Sequence, residues 1–188
     1  MKEKIILLII LFLHFSIVMS QNNNFCFVYN TNETIPVYNS YNDSVTSYFL
    51  YQDTLKENYY SLQIEENNNN RFLVNIFENN TLIHKGWIEK KYCYVWCWLM
   101  STQSIYLFKE ADTGSSHIEL SENELIQHRD GIIANILDYD KGSFWVKLLL
   151  KTKNATHIGW TLNYCGSIYG SCEGERATTP SHVYGFEK

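Results

Sequence analysis

His84-Lys85-Gly86-Trp87 recurs as His157-Ile158-Gly159-Trp160, 73 residues along the chain, and each copy runs on into a cysteine, Cys93 six residues after Trp87 and Cys165 five after Trp160. Self-similarity at a fixed offset marks a repeated structural unit and is read before any local pattern. Upstream, Phe72-Leu73-Val74-Asn75-Ile76 lines up with Phe144-Trp145-Val146-Lys147-Leu148. Further back, Pro36-Val37-Tyr38 lines up with Ile105-Tyr106-Leu107 as an opening strand before a long polar loop. The chain reads as two copies of one unit, residues 25–98 and 99–172, followed by a polar tail over 173–188.

Each unit is built of strands. Only Pro36 and Pro180 interrupt the backbone's donors, and short runs rich in Tyr, Phe, Val and Ile alternate with Asn, Asp and Gly, which is the pattern of half-buried strands between turns. The expected strands are 34–38, 47–51, 59–65, 71–78, 82–89, 104–108, 131–139, 143–151 and 156–162. Residues 67–70 and Asp140-Lys141-Gly142 have hairpin-turn chemistry. Ser121 followed by Glu124 has the form of a capping box, so a short helix or a turn is expected there. The expected fold class is all-β.

The units resemble bacterial SH3-like domains, small five-stranded barrels, in tandem. The residues that carry the resemblance are Tyr106, Trp145-Val146 and Gly159-Trp160 in the second copy, and Tyr38, Leu73-Val74 and Gly86-Trp87 in the first. The first copy lacks a tryptophan where Trp145 stands, and Ile88 and Thr161 replace the usual valine after Gly-Trp. The stretch from Trp160 to Cys172 is similar to exported SH3-like proteins of Bacteroidetes-type bacteria, in which a Gly-Trp strand precedes a small cysteine-bounded loop. The resemblance implies two SH3-like barrels and a non-enzymatic binding role.

Export is expected from the first twenty residues. Lys2 and Lys4 precede an apolar run from Ile5 to Val18, and the chain turns polar at Gln21 after small Ser20, as in a cleaved secretory signal peptide. The apolar run is shorter than the ~20 residues a spanning helix needs, and nothing later in the chain has the length or hydropathy of one. The expected location is periplasmic or secreted. Losing Lys2, Glu3 and Lys4 takes the formal net charge from −5 to −6. An acidic surface excludes nucleic acid as a partner, because phosphate neutralisation needs a basic one. With 15% aromatic and 19% charged residues the 188-residue chain has a core to bury.

All five cysteines lie in the exported part, where disulfides are the rule. An odd number leaves at least one thiol free or paired between chains. Cys165 and Cys172 bracket a six-residue loop containing two glycines and are the expected disulfide. Cys93 and Cys97, if extended, stand ~13 Å apart, so pairing of Cys26 with one of them is the alternative.

No catalytic residues are expected: no cysteine is followed by a helix that would activate a thiol nucleophile, and the acidic pairs are adjacent in sequence rather than facing across a cleft. No cofactor is expected. His84 and His157 with the cysteines have no metal-ligand spacing. The resemblance to SH3-like barrels, which hold an extended peptide on aromatics near the long loop, implies Tyr38, Tyr106, Trp145 and Trp160 as the ligand-binding residues; burial in the core is the alternative for the two tryptophans. Tyr92, Tyr94, Trp96 and Trp98 would share one strand face, as a contact between barrels or a binding shelf. The expected partner is a peptidoglycan peptide or a protein. The other function class is an inhibitor or immunity protein that binds a specific toxin or hydrolase through its loops.

Overall fold

Tyr60, Leu62 and Ile64 alternate with Ser61, Gln63 and Glu65, and Phe72, Val74 and Ile76 alternate with Leu73, Asn75 and Phe77; the first set of each is buried. A period of two puts every second side chain on one face, and that face makes the core. The structure, a computed structural model, describes residues 25–29, 34–51, 60–97, 104–127, 131–140, 143, 145–162 and 164–165. The signal-peptide segment, Trp98, Cys172 and the polar tail lie outside the described residues, as does the side chain of Cys165.

Among the described residues thirteen strands form one antiparallel sheet. They are β1 Phe25–Val28, β2 Ile35–Tyr38, β3 Tyr48–Leu50, β4 Tyr60–Asn68, β5 Arg71–Glu78, β6 Thr81–Glu89, β7 Cys93–Cys97, β8 Ser104–Phe108, β9 His117–Ser121, β10 Ile132–Tyr139, β11 Val146–Lys151, β12 Thr156–Thr161 and β13 Tyr164–Cys165. A 3₁₀ turn, Lys90–Tyr92, leads into β7. Among the described residues there is no α-helix, and none long and apolar enough to cross a membrane. The capping-box segment is a turn, in which Ser121 donates from its backbone N–H and its hydroxyl to Glu124 Oε2 at 2.9 and 2.6 Å. Asn79 and Asn80, both at positive φ, make the two-residue turn between β5 and β6.

The strand order is β3-β2-β6-β5-β4-β1-β7-β10-β11-β12-β8-β9. Read inward from either end, the two halves follow one sequence of roles, with β1 and β7 meeting at the centre. The path is open: no pairing among the described residues joins β3 to β9. β7 pairs with β1 on one side and β10 on the other, and β13 pairs with it beyond β1. The correspondence reaches the irregularities. A register shift falls between Ile64 and Glu66 where β4 meets β5, and between Ile136 and Asp138 where β10 meets β11.

The repeated glycines are explained by a close approach. A Cβ on Gly86 would come within 2.5 Å of Val37 Cγ1 and 3.0 Å of the Tyr38 carbonyl; on Gly159 it would come within 2.7 Å of Leu107 Cβ and 3.0 Å of the Phe108 carbonyl. These contacts correct the alignment read from the sequence. Tyr38 pairs with Trp87 and Phe108 pairs with Trp160, so Phe108, not Tyr106, is the counterpart of Tyr38. Likewise Val74 pairs with Gly86 and Leu148 with Gly159, which makes Arg71 the counterpart of Trp145.

One continuous apolar core runs through both halves, from Val28, Ile35 and Leu62 to Ile136, Leu148 and Leu150. Side chains tie the halves together: Asn135 donates to the carbonyls of Lys90 and Cys93 at 2.6 and 2.7 Å, and the Tyr139 hydroxyl donates to the Glu65 carbonyl at 3.0 Å. Cys26, Cys93 and Cys97 are free, buried thiols, and the expected pairing among them is not made. Phe27 pairs with Tyr94 and Val28 with Cys93, so Cys26 lies diagonally from Cys93 rather than opposite it. Cys93 and Cys97 sit at the two ends of one extended strand.

Gly86→Ala and Gly159→Ala each force a backbone or core shift, with an expected loss of about 1–3 kcal/mol; urea denaturation of the two variants measures it, and an unchanged midpoint for both would refute the close-approach account. Burial pushes the Cys97 thiol up to about 12 and raises Cys26 as well, burial being the larger cause there and the neighbouring Cys93 adding to it. An acid whose pKa is higher folded than unfolded holds its proton more tightly when folded, so its contribution is intact below about pH 9 and falls as pH rises through the interval to about 12. In native protein a thiol reagent should leave Cys26, Cys93 and Cys97 unmodified at pH 8 and label them once the chain is unfolded, with mass spectrometry assigning the sites.

Candidate functional site: an aromatic face on the second half

Pairing across an antiparallel sheet sets partners side by side on one face. Across β9, β8, β12, β11 and β10 this produces the row His117, Phe108, Trp160, Lys147, Asp138. Two residues along, Tyr106 pairs with Glu119 on the same face, and Trp145 lies two residues before Lys147.

The rings form a chain. Tyr106 and His117 lie edge-on with centroids 5.4 Å apart, His117 and Phe108 are 5.1 Å apart, and Trp145 meets Phe108 edge-on at 5.3 Å. Aromatic pairs favour such edge and tilted contacts at this separation. Lys147 Nζ stands 5.8 Å from the centroid of the half-buried Trp160 ring, within cation–π range. At the other end, Glu119 Oε1 accepts from the hydroxyls of Ser104 at 2.8 Å and Tyr106 at 3.1 Å. A strip of rings thus runs between a carboxylate and a lysine. Ile158, on the same face of β12, is 54% exposed.

Of the four residues expected to bind a ligand, Tyr106, Trp145 and Trp160 come together on this face. Tyr106 is itself buried, and the two tryptophans are half-buried. Tyr38 lies on the other half. There the equivalent row is Tyr38, Trp87, Leu73, Glu66. Arg71 places its guanidinium 3.5 Å over the Tyr38 ring and donates to the carbonyls of Ser40, Tyr41 and Asp43 at 3.2, 3.1 and 2.7 Å. Tyr41 lies edge-on to Trp87 at 5.6 Å, and the Tyr38 hydroxyl donates to Glu89 Oε1 at 3.3 Å. Sequence reasoning missed Phe108, His117 and Lys147. The signal was available in the alternation Tyr106-Leu107-Phe108, which puts Phe108 on the face of Tyr106.

The central stripe divides between two surroundings. Tyr92 is in the 3₁₀ turn, buried in the main core, while Tyr94 and Trp96 occupy the other face of β7 with Phe27 and Ile133. Phe27 and Trp96 pack at 5.2 Å, and Tyr29 meets Tyr94 edge-on at 5.6 Å.

Of the remaining polar candidates, the carboxylates have local partners, while His84 keeps a buried Nε2 with no hydrogen-bond partner among the described residues. His84 stacks on Tyr48 at 4.5 Å, and Glu65 is paired with Lys85 and accepts from Asn75. Asp138 accepts from Asn67 and from the Tyr139 N–H. Among the described residues no group of three or more His, Cys, Asp or Glu could hold a metal ion. No protein-family model and no curated protein matches the chain.

Arg71→Ala removes three charge-assisted hydrogen bonds and the stacking on Tyr38, an expected loss of roughly 2 kcal/mol. Hydrogen exchange should show the amides of residues 40–43 losing protection first, with those of β10 and β11 unaffected; uniform loss across both halves would contradict the local role.

Proposed function

We propose that the chain is an exported, non-enzymatic binding module that holds an extended, peptide-like ligand on the aromatic face of its second half. The observation that carries the reading is the strip itself, Tyr106, His117, Phe108 and Trp145 in ring contact with half-buried Trp160 alongside. Rings offer an extended chain broad contact at low conformational cost, and the flanking Glu119 and Lys147 give it polarity. The resemblance to tandem SH3-like domains is part of the reading. It is supported by the two halves' shared strand order, their matching register shifts and their Gly-Trp contacts. Export, to the periplasm or outside the cell, rests on the signal-peptide character of residues 1–20.

Wall peptides and protein segments share this chemistry, and sedimentation separates them. Residues 21–188 mixed with purified peptidoglycan sacculi should pellet, and Trp160→Ala, still folded by circular dichroism, should stay in the supernatant. Failure of both proteins to pellet removes the wall as the source. Equal pelleting of both removes the aromatic face as the site.

A second reading, an inhibitor or immunity-type protein that binds one toxin or hydrolase, is favoured by the hairpin of β2 and β3. Val45, Phe49 and Tyr51 there are 78%, 57% and 65% exposed, more apolar surface than a short edge hairpin needs to leave in water.

A further inference from the structure

The two halves present one platform in two states. In the first half the tryptophan of the row, Trp87, is covered: Tyr41 lies against it, and it is only 7% exposed. Arg71 lies on the neighbouring Tyr38 and holds the loop that carries Tyr41. In the second half the corresponding tryptophan, Trp160, is half-buried, and among the described residues no ring lies against it. Two substitutions account for the difference. Tyr41 stands three residues after Tyr38, and three residues after Phe108 the chain has Ala111. Arg71 has Trp145 as its counterpart, which packs on Phe108 and reaches for no loop.

A third difference gives the open platform its charge. Leu73 pairs with Trp87, but Lys147 pairs with Trp160. Lys147 makes no ion pair among the described residues, although Asp138 is its neighbour across β10; the carboxylate there is engaged by Asn67 and the Tyr139 N–H. The self-filled half therefore shows what occupies the position, a tyrosine ring set edge-on to the indole. The open half adds a cation beside it.

We propose that Trp160 and Lys147, beside the buried Phe108 ring, form a subsite for an aromatic side chain that carries a neighbouring carboxylate, and that Tyr41 fills the equivalent subsite of the first half from within. The proposal rests on the binding-module reading and takes its protein-segment source, since the stem peptides of the wall carry no aromatic side chain.

The test uses the ¹⁵N-labelled chain from residue 21 to 188, titrated with millimolar N-acetyl-phenylalaninate while the indole N–H resonances are followed. The Trp160 signal should shift saturably and the Trp87 signal should stay in place. The uncharged N-acetyl-phenylalaninamide, or Lys147→Gln with the original probe, should bind several-fold more weakly. Tyr41→Ala should make Trp87 respond as well, and Ala111→Tyr should weaken the Trp160 response about tenfold, the worth of one edge-on ring contact. A Trp160 signal that does not move, or Trp87 and Trp160 moving together in the unaltered chain, overturns the proposal. Sacculi that pellet the protein while the probe leaves Trp160 unmoved would preserve the binding module and defeat this subsite. A responding Trp160 with no sedimentation would preserve the subsite and exclude the wall.

Discussion

Gly86 and Gly159 are the points where a strand of each hairpin is crossed by the strand that opens the unit, with Val37 and Leu107 filling the space a side chain would need. That contact fixes which residues of β2 and β8 lie beside the tryptophans that follow the glycines. It sets Tyr38 next to Trp87 and Phe108 next to Trp160, so the register that closes the core also assembles the outer row of rings. A single methyl group at either glycine would have to move backbone, and the cost would appear on both faces of the sheet: as strain in the core and as misplacement of the platform.

The halves are joined by more than a linker. β7 pairs with β1 and with β10, and the core is continuous across that seam. The three cysteines at the seam are buried as thiols, and they act there as small apolar residues. The opposite face of the seam carries its own aromatic packing, Phe27 on Trp96 and Tyr29 on Tyr94. Both faces of the central strands are thus apolar, which is why Phe25–Val28 and Cys93–Cys97 show little polar alternation.

Much of this was legible in the sequence. Arg71–Glu78, with its clean alternation, and Ser104–Phe108, a run buried along its whole length, stand where the sequence places them, and the His-x-Gly-Trp repeat matches a repeated strand order. β1, β7, β9 and β13 were not among the expected strands: β1 and β7 are buried on both faces, β13 is two residues long, and in β9 His117-Ile118-Glu119-Leu120-Ser121 is a mostly exposed edge with one buried leucine. The alignment between copies slipped by two residues at Tyr106 and by two at Trp145. Matching on residue type favours aligning tyrosine with tyrosine and hydrophobe with hydrophobe. The physical correspondence is set by the glycine contact and by the register shift in β4 and β10, neither of which composition displays. Three of the four proposed ligand residues do share a face, but the partners between them, Phe108 and His117, come from cross-strand pairing that only the register supplies.

Repetition followed by divergence explains why the two faces differ. The frame that positions the two platforms is constrained by the core on its other side. The outward residues are free of that constraint. At three outward positions the halves have separated, Tyr41 against Ala111, Arg71 against Trp145 and Leu73 against Lys147. Tyr41 and Leu73 leave Trp87 covered and without a neighbouring charge, whereas Ala111 and Lys147 leave Trp160 half-buried beside one; Arg71 and Trp145 each cover the ring of their own half, Tyr38 and Phe108, but only Arg71 also holds the following loop. On the proposed reading, one copy holds its own loop and the other faces outward, so that structural support and recognition fall to different copies of the same unit.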